Sequence, residues 1–118
     1  TMKRVLLFAA FAMALVAFSG MAAAEESTLT GEAVDIGCYL GGNSGEGHAA
    51  CATKCAENGK PIGLLVGEGD EAELYLVLSD GMAAPNDVMG AHMGKTVTVK
   101  GEVVDEGGMK IIKVASVE

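Results

Sequence analysis

The most restrictive feature of the chain lies near its end. From Thr96 to Asp105 apolar and polar residues alternate, Val97, Val99 and Val103 against Thr98, Lys100 and Glu102. A period of two is the side-chain repeat of a strand with one buried face. Glu106-Gly107-Gly108 then supplies a hairpin turn, and Met109 to Val117 reads as the returning strand. Within it the adjacent Ile111-Ile112 break the alternation, which predicts a bulge or a strand covered on both faces.

Other strands are read upstream. Val34, Ile36, Cys38 and Leu40 alternate with Asp35, Gly37 and Tyr39, predicting a first strand with Cys38 facing inward or toward a loop root. Gly41 to Gly47 is too glycine-rich for regular structure and reads as a flexible loop. His48 to Asn58 is Ala-rich and stops at Gly59, a residue suited to a left-handed C-cap, just ahead of Pro61, so a helix is expected there. Ile62 to Val66 and Glu73 to Leu78 are the second and third strands, joined by the turn Gly67 to Glu71. Leu74, Leu76 and Leu78 share one face of the third strand and Tyr75 and Val77 the other, so both faces are expected to be covered. Pro85-Asn86-Asp87 opens a short helix that runs through Met89 and His92 to Gly94.

The expected class is mainly β. The order is that of a five-stranded barrel with a short helix after strand 1 and another between strands 3 and 4, the topology of the oligonucleotide/oligosaccharide-binding (OB) barrel. Through Gly31-Glu32-Ala33-Val34-Asp35 near the start and Lys95 to Val104 near the end, the chain resembles small exported bacterial OB-fold domains. Such domains do not ordinarily carry a cysteine-rich segment between the first two strands, so the resemblance transfers no site residue there. Gly37-Cys38-Tyr39-Leu40, followed by His48, Cys51, Cys55 and Gly63-Leu64-Leu65, is similar to segments of uncharacterised exported proteins, a likeness that implies no activity. In OB barrels ligands meet the loops joining strands 1 to 2 and 4 to 5, which predicts that the cysteine segment and Gly107-Gly108 border one site.

The first residues carry Lys3-Arg4, an apolar run from Val5 to Phe18, and the small residues Ser19 to Ala24. These are the three parts of a secretory signal, with cleavage expected after Ala24. The apolar run is shorter than the roughly 20 residues of a membrane span. Residues 1–24 are thus read as a signal peptide and 25–118 as a single OB-like domain, periplasmic or secreted and free of the membrane after cleavage. About ninety residues suffice for one modest core. All sixteen acidic residues lie after Ala24 while two of the eight basic ones precede it, which leaves that segment at a formal charge of −10. Nucleic acid is excluded as a partner on that ground, and because all three Phe lie in the leader, leaving only two Tyr for stacking. The physiological ligand or protein partner is not named by the sequence.

His48, Cys51 and Cys55 stand at i, i+3 and i+7, one stripe of a helix, and the glycine loop is long enough to bring Cys38 back to them. Three thiolates and an imidazole make a tetrahedral set for zinc, or a smaller set for Cu(I). The spacing matches no standard zinc knuckle, and an oxidising compartment offers the alternative of one disulfide, Cys38 to Cys51 or Cys38 to Cys55, with a third thiol left over. Thiol redox chemistry is the weaker third reading, since C-x-x-C is absent, and the chain reads as non-enzymatic. Met82, Met89, His92 and Met93, with Met109, form a second soft-donor group better suited to filling a core than to holding copper. The acidic run Glu68, Asp70, Glu71 and Glu73 lacks the order of a calcium loop and reads as a solvated turn.

Overall fold

A computed structural model describes residues 25–118; the expected signal peptide, residues 1–24, lies outside the described residues. Five strands close into a barrel in the order β1-β2-β3-β5-β4. They are β1 (Glu25–Asp35), β2 (Ile62–Val66), β3 (Glu73–Leu78), β4 (Thr96–Glu106) and β5 (Met109–Val117). All neighbours are antiparallel except β3 and β5. This is the expected mainly β, OB-like barrel. The register shows how so few strands close. Followed round the barrel, Val34 pairs with Gly63, Gly63 with Leu76, Leu76 with Ile111 and Ile111 with Val104, one residue beyond the Val103–Glu25 pair at the other end of β1. Such a stagger tilts the strands steeply, which lets five of them enclose a filled core.

The core follows the alternation. Val97 and Val99 point inward with Leu64, Val77, Ile112 and Val114, all buried, while Thr96 and Lys100 are exposed. On β3, Tyr75 and Val77 are buried and Leu74, Leu76 and Leu78 half-buried, so both faces are partly covered as expected. The hairpin turn has Gly107 at φ 60° and Gly108 at φ 78°, positive at both central positions as a two-residue type I′ turn requires. Ile112 is buried and Ile111 half-buried, which is the covered-on-both-faces alternative. The irregularity in the ladder lies elsewhere: Lys100 faces Ser116 and Gly101 faces Val114, so Ala115 is the extra residue. Glycine is needed opposite it, because a Cβ on Gly101 would run into the Lys113 carbonyl oxygen.

The first strand differs from expectation. It ends at Asp35, and Ile36–Leu40 form a short helix, α1, rather than the strand predicted from Val34 to Leu40. Four apolar residues at period two were matched by a stronger local signal, a capping aspartate followed by a turn of helix and Gly41. The Asp35 carboxylate accepts from the Cys38 backbone N–H at 2.7 Å. The Ile36 N–H still bonds the Pro61 carbonyl at 3.2 Å, one step beyond the Asp35–Ile62 pair, before the chain turns into α1.

The expected Ala-rich helix is present as α2, Ala49–Glu57, preceded by a 3-10 turn, Glu46–His48. Its end is a Schellman motif: Gly59 N–H reaches the Ala56 carbonyl, Lys60 N–H the Cys55 carbonyl, both at 3.0 Å, and Gly59 has φ 78°. The helix α3, Asn86–Met89, and the 3-10 turn Gly90–His92 close one end of the barrel with Met89 and Met93, both fully buried.

Candidate metal centre

Three barrel-borne contacts carry the chain segment that holds the cysteines. Met93 pairs with Ala33 of β1 in a single parallel bridge, with the Gly94 N–H on the Ala33 carbonyl at 2.7 Å and the Ala33 N–H on the Lys95 carbonyl at 3.1 Å. Gly94 is the seat of α2. A Cβ there would lie 2.6 Å from the Ala49 Cβ and 3.1 Å from the Gly45 carbonyl oxygen, and its φ of 76° is one that side-chain-bearing residues avoid. At the other end of α2 the Asn86 amide donates to the Ala56 carbonyl at 2.8 Å, which the Gly59 N–H shares, and to the Lys60 carbonyl just beyond the helix at 3.0 Å. The glycine loop is tied as well, since the Glu32 carboxylate accepts from the Gly45 N–H at 2.8 Å.

The helix faces the barrel with Ala52 and Ala56, both buried. Small residues allow close approach but little hydrophobic stabilisation, about 0.8 kcal/mol for each buried methyl-sized group. Hydrogen bonds and the Gly94 seat therefore set the position of α2. Cys51 and Cys55, one step round the helix from those alanines, come to the edge of the contact, where α1 brings Cys38. The three Sγ atoms all lie within 4.8 Å of one another. Cys51 is exposed, Cys38 and Cys55 half-buried, and all three are free rather than bridged.

His48 does not belong to that mutually close group. It follows the helical spacing in sequence but stands in the 3-10 turn, whose tighter winding takes it off the stripe of α2. Its Nε2 is buried and has no hydrogen-bond partner. Among the described residues no His, Asp or Glu joins the sulfurs, so the donor set is three thiols. Sequence spacing identified Cys51 and Cys55 as neighbours. The group it passed over is Asp35, which is 5% exposed and holds Cys38 in place through its backbone. The signal was there to read: Asp followed at three residues by the cysteine, with Gly41 after it, is the pattern of a capped turn.

Asp35 also governs the Cys38 thiol. Its carboxylate accepts from the protonated sulfur and, with burial and its own negative charge, pushes the thiol up to about 12, with Cys55 adding to the shift. That is opposite to the activated, low-pKa cysteine of a nucleophilic enzyme. Cys38 is held as a neutral thiol, and any cation that takes it as a ligand must displace its proton.

No protein-family model, curated protein or solved structure matches the chain.

Other groups considered from the sequence do not assemble. Met89 and Met93 are core side chains, Met109 is exposed on the hairpin, and the side chain of Met82 lies outside the described residues. In the acidic run Glu68, Asp70, Glu71 and Glu73 are exposed; Glu73 accepts from the Tyr75 hydroxyl at 3.1 Å and faces Lys110 at 3.6 Å. That ion pair places the turn end of the β4–β5 hairpin beside Glu73, which pairs with Val66, while α1 leaves beside Asp35, which pairs with Ile62. The hairpin and the cysteines are thus attached at opposite ends of β2.

Proposed function

We propose that this is an exported, non-enzymatic binding module whose cysteine cluster holds one soft or borderline metal ion, zinc or copper. The observation that carries the reading is the convergence of Cys38, Cys51 and Cys55 from two separate helices to within 4.8 Å. Three thiolates round one ion, at a metal–sulfur distance of about 2.3 Å, stand about 3.8 Å apart in tetrahedral geometry, so small side-chain adjustments suffice. Thiolates select soft and borderline ions over magnesium and calcium. The negative surface favours a cation, and the raised Cys38 thiol argues against nucleophilic chemistry. The unpartnered His48 Nε2 is the nitrogen that a four-coordinate zinc form of this reading would recruit. Export rests on the leader pattern of residues 1–24 and agrees with the resemblance to exported OB-fold domains.

The test is a metal titration of reduced protein recovered from the exported fraction, whose N-terminus is expected at Glu25. One equivalent of zinc or Cu(I) should bind, and the protein with Cys38, Cys51 and Cys55 all changed to Ser should bind none. A Cys38 disulfide in native material, with no metal uptake after reduction, would replace this reading with a stapled OB-like domain.

A further inference from the structure

We infer that the ion is monovalent copper, held by three sulfurs alone and exchangeable over Cys51. This rests on the metal-binding reading above and goes beyond it in naming the ion, its coordination and its accessibility. The argument starts from donor number. Protein zinc sites that serve structure are closed by four ligands, whereas Cu(I) is satisfied by two or three soft donors. Here the mutually close set is three sulfurs, and among the described residues no His, Asp or Glu lies within 4.8 Å of all three. One oxygen of the Asp35 carboxylate is engaged in capping α1, accepting from the Cys38 N–H at 2.7 Å. His48 stands outside the set in the 3-10 turn, and the backbone on either side of it is fixed: His48 N–H bonds the Gly45 carbonyl at 3.0 Å, and the adjoining Ala49 is seated on Gly94.

Exposure supplies the second half of the inference. Cys38 and Cys55 are half-buried, but Cys51 is exposed, so one edge of the sulfur triangle faces water. The surplus negative charge of a copper(I) trithiolate is best screened there. The same edge admits an incoming ligand. In exchange, the bond from copper to the Cys51 sulfur breaks as one to the incoming donor forms; no electron moves, and the released thiolate takes a proton from water.

The experiment uses reduced protein from the exported fraction, loaded with Cu(I) in competition with bathocuproine disulfonate and, separately, with zinc in competition with a chromophoric chelator. Copper should be held at least a hundredfold more tightly than zinc, and X-ray absorption at the copper edge should show three sulfur neighbours and no imidazole. His48→Ala should change copper affinity less than twofold, as should His92→Ala, and Cys51→Ser should weaken it at least tenfold. The rate of copper capture should rise with bathocuproine concentration. Tighter zinc, a nitrogen or only two sulfurs around copper, a tenfold loss on His48→Ala, or a capture rate independent of chelator would each overturn this inference and leave the metal-binding reading standing. Failure to bind either ion would overturn both. The absorption measurement needs no variant, so a misfolded mutant cannot obscure the result.

Discussion

Along the β4–β5 hairpin the ladder is continuous from Gly101 to Glu106, and its side chains add ion pairs such as Lys113–Glu102 at 3.3 Å. The segment from Ile36 to Lys60 has no such ladder. It meets the barrel at separate points: the Asp35 cap, the Asn86 amide, the Glu32–Gly45 bond, the Gly94 seat and two buried alanines. One region distributes its stability over many small, mutually supporting terms; the other is positioned by a few specific ones. The barrel is therefore expected to tolerate loss of the cysteine site, and the site to be sensitive to single changes that the barrel survives. Regions of function are commonly drawn from the less stable part of a fold.

The largest expected effect breaks the barrel. Val99 is fully buried, so Val99→Asp places an unpaired carboxylate in the core and should cost about 4 kcal/mol or more, enough to unfold a marginal domain. Thr98→Ala, on the outer face, loses one exposed hydroxyl contact to Thr30 and should cost about 0.5 kcal/mol. Denaturant titration compares them, and equal losses would show that the alternation does not control the core.

Next comes Gly94→Ala, which strains a positive φ and pushes against Ala49. About 2 kcal/mol is expected, felt in α2 rather than in the barrel. Hydrogen exchange should quicken in Ala49–Glu57 and metal affinity should fall, with β4 and β5 protection retained. Global unfolding instead would mean that the two regions are one cooperative unit.

A smaller change is Asn86→Ala, which removes two hydrogen bonds from the end of α2 for about 1 to 2 kcal/mol. Fraying should be confined to Cys55 through Lys60. If exchange there were unchanged, the Schellman bonds alone would hold that end.

The smallest effect sharpens the comparison through pH. In reduced, metal-free protein Cys38 keeps its proton up to about 12, against an ordinary value of 9.0. Below the ordinary value both folded and unfolded chains hold the proton, and this contribution to stability is fully present. As pH rises above it the unfolded chain ionises first, so the contribution is lost up to the folded value. Asp35→Asn removes the carboxylate that raises the thiol, first through its hydrogen bond and then through its negative charge. Its thermal melts should lose less stability between pH 9 and pH 10 than the wild type, and Cys38 should alkylate faster at pH 8. Wild-type alkylation should proceed at Cys51 first and Cys38 last; reversal of that order would remove Asp35 from its role.

The alternation of Thr96–Asp105, the Gly107-Gly108 turn and the alanine helix ending at Gly59 were legible because each is a local preference that burial then reinforces. Neighbouring Cys51 and Cys55 were legible for the same reason, since a helix places i and i+4 together whatever surrounds it. Cys38 was not. Its alternating neighbours read as strand, and the Asp35 cap turned them into helix. The placing of the methionines was also tertiary, because Met89 and Met93 are equally suited to a soft metal or a core until the barrel closes round them. The sequence by itself thus determined a β barrel with a short cysteine helix beside it, from periodicity and turn chemistry. The meeting of three sulfurs without His48 was decided by tertiary structure, because it depends on where one strand ends and on the seat that Gly94 offers to α2.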